Sequence, residues 1–198
     1  MKWKNNIYVF DDILTQEQQE QIKTYLLGPS FPWTFQPDIT GGDRIERPGM
    51  SHRWIDKGEK ISSADLTPVN LVIQASLQKL YEKTKEKANY HLDNSRSFLQ
   101  FPLKNLDNQE YDAHHIDHLK PHLSILYYVL DADGDTVLFD SLYSASNPLP
   151  PEPKALREYK RVSPKQGRVV IFDGYRWHTA TQPQKGIRCV INSNILIS

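Results

Sequence analysis

The chain has 198 residues, within the usual size of one domain and enough to bury a substantial core. Lys+Arg and Asp+Glu are both 24, so the formal net charge is zero and no general attraction to nucleic acid or an anionic membrane is expected. There is no apolar run of membrane-spanning length, no charged-then-apolar leader and no cysteine but Cys189, which together predict a cytoplasmic protein without an intrachain disulfide. In chain order, Ile7-Tyr8-Val9-Phe10 reads as a strand. Thr15-Gln16-Glu17-Gln18 is a capping box that starts a helix ending near Gly28-Pro29. Residues 30–66 mix Phe31-Pro32-Trp33, Gly41-Gly42-Asp43 and Met50-Ser51-His52-Arg53-Trp54 without a sustained period. A long irregular stretch in a compact domain suggests function, so Phe31 to Trp54 is expected to form a substrate-facing rim carrying Trp33 and Trp54. Anchoring of an ordinary surface loop by the same tryptophans is the competing reading.

Thr67-Pro68 supplies an N-cap and a first-turn proline, and Val69, Val72, Ile73, Leu77, Leu80 and Tyr81 recur at helical spacing, predicting a core-packing helix to about Ala88. Ser97 to Phe101 reads as a strand and Pro102 to Asp112 as a polar loop. Beyond it lie short strands interrupted by the proline cluster Asn147 to Pro153, which cannot be central strand and is expected to join the rim. No internal repeat appears, and one domain over 1–198 is expected, with a helical support and rim at about 1–94 and a β core at about 95–198.

The chemistry is concentrated in His114-His115-Ile116-Asp117 and in Trp177-His178. Residues two apart in a strand share a side, so His115 and Asp117 present an imidazole and a carboxylate together, while His114 points to the other face. His178 follows the β-branched and aromatic run Val169-Val170-Ile171-Phe172 and an Asp173-Gly174 turn, and is the best third ligand. Two imidazoles and one carboxylate with open positions opposite suit a non-haem Fe(II) site. His118 and His122 are four apart, but Pro121 between them argues against a helical zinc pair. Arg188 opens the strand-like run Arg188-Cys189-Val190-Ile191-Asn192, where an always-charged fork is costly unless it holds an anion. Cys189 reads as an ordinary buried thiol. Alternation puts Arg188, Val190, Asn192 and Asn194 on one strand face, and His122, Ser124, Leu126 and Tyr128 on one face of another; these more polar faces should line a cavity.

The ordered set His115-x-Asp117, Leu123 to Leu130, Asp133 to Phe139, Pro164 to Phe172, His178 and Gly186 to Asn192 resembles the 2-oxoglutarate/Fe(II) dioxygenases, in particular their prolyl 4-hydroxylase-like branch. It covers about the last half of the chain. The resemblance implies a mainly β fold with flanking helices, a double-stranded β-helix (jelly-roll, cupin-like) core buttressed by N-terminal helices. It implies Fe(II) held by His115, Asp117 and His178, with 2-oxoglutarate and O2 as cosubstrates and ascorbate as a further additive. Arg188 would grip the distal carboxylate of 2-oxoglutarate, with the Tyr128 hydroxyl as a second donor. The implied reaction is hydroxylation of a C–H bond with release of succinate and CO2, the first candidate target being a prolyl or other side chain of a peptide.

Two departures from the pattern stand out: Phe101 where many relatives have a tyrosine, and Gly134-Asp135 where a double glycine is usual. A small-molecule or free amino-acid hydroxylase of the same chemistry is an alternative. A demethylase of alkylated nucleobases is another, but Asn194 stands where those enzymes usually carry a second arginine. A non-catalytic jelly-roll module is the alternative from another class, and the intact triad with its arginine speaks against it.

Overall fold

A computed structural model describes residues 4–40, 47–103 and 111–197. In chain order the elements are β1 (Ile7–Phe10), α1 (Gln16–Leu26), β2 (Thr34–Gln36), β3 (Gly49–Asp56), β4 (Glu59–Lys60), α2 (Thr67–Thr84), β5 (Tyr90–Gln100) and β6 (His122–Tyr128). They continue through β7 (Thr136–Leu142), β8 (Glu158–Val162), β9 (Val169–Asp173), β10 (Arg176–Ala180) and β11 (Arg188–Ile197), with a short 3-10 turn at Pro153–Ala155 before β8. The larger sheet runs β1-β9-β6-β11-β5-β3-β2, with β4 paired to β3, and the smaller runs β10-β7-β8. The fold is mainly β, a jelly roll with two helices on one side.

The alternation of the central strands builds this architecture. On β6, Leu123, Ile125 and Tyr127 face outward and join Ile22, Leu26, Val69, Val72 and Leu80 of α1 and α2 in the main core. Leu126 and Tyr128 face the other way and meet Leu138 and Val162 of the smaller sheet, with Val170, Phe172 and Val190, in a second cluster between the sheets. One strand thus packs two cores, because its side chains alternate in direction. The expected capping box forms on α1: Gln18 N–H donates to Thr15 Oγ1 at 3.3 Å, and Thr15 N–H to Gln18 Oε1 at 3.0 Å. For α2 the N-cap is Leu66, one residue before the expected Thr67, and it makes no side-chain cap bond; Asp65 Oδ1 accepts from both the backbone and the hydroxyl of Thr67 just ahead of the helix. The helix stops at Thr84, short of Ala88, because Lys85 adopts a left-handed conformation with φ 59°. Tyr81, expected on the core stripe, is exposed.

The largest difference from the sequence reading lies between Phe31 and Trp54. Gly49–Asp56, expected to be irregular, is strand β3, paired to β5 in the larger sheet. A register shift between Arg53 and Ile55 puts both Trp54 and Ile55 in the core and breaks the period that would have announced a strand. Gly41-Gly42-Asp43 lies outside the described residues. Among the described residues, no helix is long and apolar enough to cross a membrane.

Candidate metal centre

Two segments far apart in sequence are fastened by their own backbones. His115 N–H donates to His178 O at 2.9 Å and His178 N–H to His115 O at 3.0 Å, and Asp112 N–H reaches Ala180 O at 2.8 Å. This pairing sets the imidazole rings 4.6 Å apart by their centroids. One donor atom from each of His115, Asp117 and His178 lies within 4.8 Å of the others. His115 Nε2 is 3.7 Å from Asp117 Oδ1, and His178 Nε2 is 3.7 Å from Asp117 Oδ2.

The two rings are also fixed by what their other nitrogens do. His115 Nδ1 is 3.0 Å from Ala113 O and His178 Nδ1 is 2.9 Å from Arg176 O. A carbonyl can only accept, so each Nδ1 carries the proton and each Nε2 presents its lone pair to the shared centre. Burial, with His115 adding to it, pushes His178 down to about 4, so its ring is neutral at physiological pH. Burial raises the Asp117 carboxyl, but the neighbouring His178 and His115 and the bond from Asn192 outweigh it and hold it at about 2. Asp117 Oδ2 also accepts from Ser124 Oγ at 3.1 Å and Asn192 Nδ2 at 3.2 Å, from the inward faces of β6 and β11. Two imidazoles with their Nε2 atoms toward one oriented carboxylate fit a divalent cation, and the open side is clear: the His115 side chain is 51% exposed, against 8% for His178.

The centre opens into a cavity of about 280 Å³ between the sheets, walled by Phe98, Leu126, Phe172 and Val190. At its far end Arg188 is buried, with Nη1 donating to Gln100 Oε1 at 2.6 Å and Nη2 to Thr136 Oγ1 at 3.0 Å. Its Nε has no hydrogen-bond partner, and among the described residues no carboxylate is in ion-pair contact with it. The nearby Asp112 is committed elsewhere, to Arg47 at 2.8 Å and to Gln182 at 2.9 Å. A buried guanidinium left without a counter-ion fits the distal carboxylate of 2-oxoglutarate. Close packing shapes this end: a Cβ on Gly134 would sit 2.8 Å from Thr181 O and 3.1 Å from Arg188 Cδ.

No family model matches the sequence, and no curated protein matches it significantly. Solved structures do resemble it. The non-haem α-ketoglutarate-dependent carbocyclase SnoK of nogalamycin biosynthesis superposes with a TM-score of 0.69 at 11% identity, over 100% of this chain and 81% of that one. A 2OG-Fe(II) oxygenase family oxidoreductase from Burkholderia pseudomallei gives 0.66 at 11% identity, over 96% and 85%. A prolyl-4-hydroxylase from Pseudomonas putida gives 0.56 at 12% identity, over 96% and 92%. This is the fold of the 2OG-Fe(II) oxygenases.

Within the oxygenase fold, the other sequence candidates fall in different places. His114 turns away from the centre, its Nε2 meeting Pro151 O at 2.9 Å and its ring stacking edge-on against Trp177. Tyr128 sits behind Thr136: its hydroxyl donates to Thr136 Oγ1 at 2.7 Å, and its ring lies 5.7 Å from the Arg188 guanidinium carbon, so it braces Arg188 and does not line the cavity. The two tryptophans are not at the mouth. Trp54 is fully buried on the helix side of the sheet, with Nε1 donating to Ser97 Oγ at 2.8 Å. Trp33 is half-buried against Phe31, its Nε1 donating to Leu26 O at 2.8 Å. Both fill the core beneath the helices, where their large apolar faces are removed from water. Phe101 lies past the end of β5 and is exposed; Gln100 is the residue that reaches Arg188. Alternation could have found Gln100, since it shares a strand face with Phe98, but nothing in the sequence singles out Thr136.

Proposed function

We propose that the protein is a 2-oxoglutarate- and Fe(II)-dependent dioxygenase that hydroxylates a C–H bond of an organic substrate. The observation that carries this reading is the shared cavity: a His-Asp-His donor set at one end and a buried, counter-ion-free Arg188 at the other. His115, Asp117 and His178 would hold the metal, while Ser124 and Asn192 orient the Asp117 carboxylate toward it. Arg188, steadied by Gln100 and Thr136, takes the distal carboxylate of 2-oxoglutarate by a charge-assisted pair. Phe98, Leu126, Phe172 and Val190 keep bulk water from the space between. Bound there, iron would supply dioxygen activation coupled to oxidative decarboxylation of the cosubstrate. A carbocyclase and a prolyl hydroxylase share the fold, so the fold by itself does not choose the target.

Calorimetry with Mn(II), followed by 2-oxoglutarate, tests this directly. Mn(II) should bind the wild type and fail to bind His178→Ala and Asp117→Ala, while both variants keep the strand signal in circular dichroism. With Fe(II) and oxygen, the wild type should release succinate slowly even without substrate. Mn(II) binding that survives both substitutions, with no succinate formed, would sink the proposal.

A further inference from the structure

We propose that Arg96 binds a carboxylate of the substrate, so that the target is a small organic acid and not a side chain within a polypeptide; this rests on the function proposed above. The inward faces of β5 and β11 form a grid of cross-strand pairs in which Gln100 faces Arg188, Phe98 lies beside Val190, and Arg96 is opposite Asn192. The first row is the cosubstrate end. The last row is the metal end, because Asn192 holds Asp117. Two cations therefore stand at opposite ends of one apolar floor, four residues or about 13 Å apart along the strand. Arg188 is accounted for by 2-oxoglutarate, and Arg96 has no such assignment.

Arg96 lines the cavity and is half-buried, yet among the described residues its side chain makes a single hydrogen bond, from Nε to Asn94 Oδ1 at 3.0 Å. Among the described residues no carboxylate is in ion-pair contact with it. The charges that face it are Arg53 across the pair with β3, and Asp117 and Asp56 at longer range. Asp117 is already engaged by Ser124 and Asn192, and Asp56 by Arg53 at 3.5 Å and by Asn94 at 3.2 Å. Burial and the neighbouring Arg53 push the Arg96 guanidinium down, the signature of a cation short of negative charge. With Nε occupied, the two terminal nitrogens present parallel donors, which match the two coplanar oxygens of a carboxylate. A carboxylate seated there would place the adjoining carbons at the metal centre. Size points the same way. The cavity of about 280 Å³ is at the small end of the roughly 300–1,000 Å³ usual for ligand sites, and it must hold both cosubstrate and target.

The test uses the intact protein loaded with Mn(II) and 2-oxoglutarate. It is titrated with the standard free amino acids and short straight-chain carboxylic acids, each beside its primary amide, and with alkyl phosphates and capped peptides. At least one acid should bind, its amide roughly thirtyfold or more weaker, as expected for loss of a charged partner. Arg96→Met should erase the acid-over-amide preference and Arg96→Lys should keep part of it, with Mn(II) and 2-oxoglutarate affinities within about twofold of wild type in both. The acid-against-amide comparison is made on the wild type alone, so it stands even if a variant does not fold. Binding of capped peptides or alkyl phosphates without the acids, indifference to every acid, or an undiminished preference in Arg96→Met overturns the inference while leaving the dioxygenase reading intact. Failure of the wild type to bind Mn(II) and 2-oxoglutarate overturns both.

Discussion

The two faces of β11 obey different physics. Outward, Cys189, Ile191 and Ile195 are packed among α1, α2 and Trp54 in a core where volume decides the energy. Inward, Arg188, Asn192 and Asn194 lie near Asp117, Ser124 and Gln100, where particular hydrogen-bond partners orient the polar groups, Arg188 keeps one donor unpaired, and chemistry decides. The outer face should therefore tolerate apolar swaps of equal volume and fail on cavities, while the inner face should lose function on changes that barely touch stability. Burial also acts on Cys189 of the outer face: desolvation pushes its thiol up to about 12, away from the reactive thiolate.

The most severe test of this division is Trp54→Ala. Removing the largest fully buried side chain of the outer core should cost about 3–5 kcal/mol in urea unfolding, while the variant, while folded, binds 2-oxoglutarate like the wild type. A parallel loss of 2-oxoglutarate affinity would show that the faces are coupled. On the inner face, Arg188→Ala should weaken 2-oxoglutarate by about 2–5 kcal/mol and leave Mn(II) affinity alone. A keto acid lacking the distal carboxylate should then suffer in the wild type far more than in the variant; equal losses would detach Arg188 from that carboxylate. The smallest effect belongs to neither face. Asp11, just after β1, pairs with Arg168 at 2.6 Å, and the bond from Arg168, with Lys165 adding to it, outweighs the opposing effect of burial and holds the carboxyl down to about 2. Because its folded value is depressed, this pair stabilises above the ordinary carboxylate range and the contribution fades as pH falls toward 2. The Asp11 side chain is 38% exposed, so solvent screening keeps the contribution of Asp11 under about 1 kcal/mol. Asp11→Asn should flatten the acid limb of the melting curve by that small amount, and a larger drop at neutral pH would mean that β1 depends on the pair.

What the sequence made legible follows the same division. β1, β6, β9 and β11 carry apolar runs or clean alternation and appear where their patterns put them, while α1 begins at its capping box and α2 forms on its apolar spacing but ends at Thr84, short of the expected Ala88. The inward and outward sets on β6 and β11 were readable residue by residue, because both strands are regular along the stretch that faces the cavity. β3 was not readable. Its buried His52 is satisfied by Pro32 O and Ser62 Oγ, partners that polarity scales cannot anticipate, and its register shift removes the period of two. The same blindness sent Trp33 and Trp54 to the rim: an aromatic outside any period looks functional until the strand beneath it is seen. The network of Asp112 with Arg47, Gln182 and Gln100 joins residues as many as 70 positions apart, and no local pattern signals it.

The mutual backbone bond between His115 and His178 gives the donor set the character of a rigid chelate. The chain entropy of bringing the 111–117 segment to β10 is spent during folding, so little of it is left to spend when a cation arrives. Uptake should then resemble filling a preformed crown, limited by how fast the ion sheds water, and loss of the ion should leave the loop clipped in place, ready to reload.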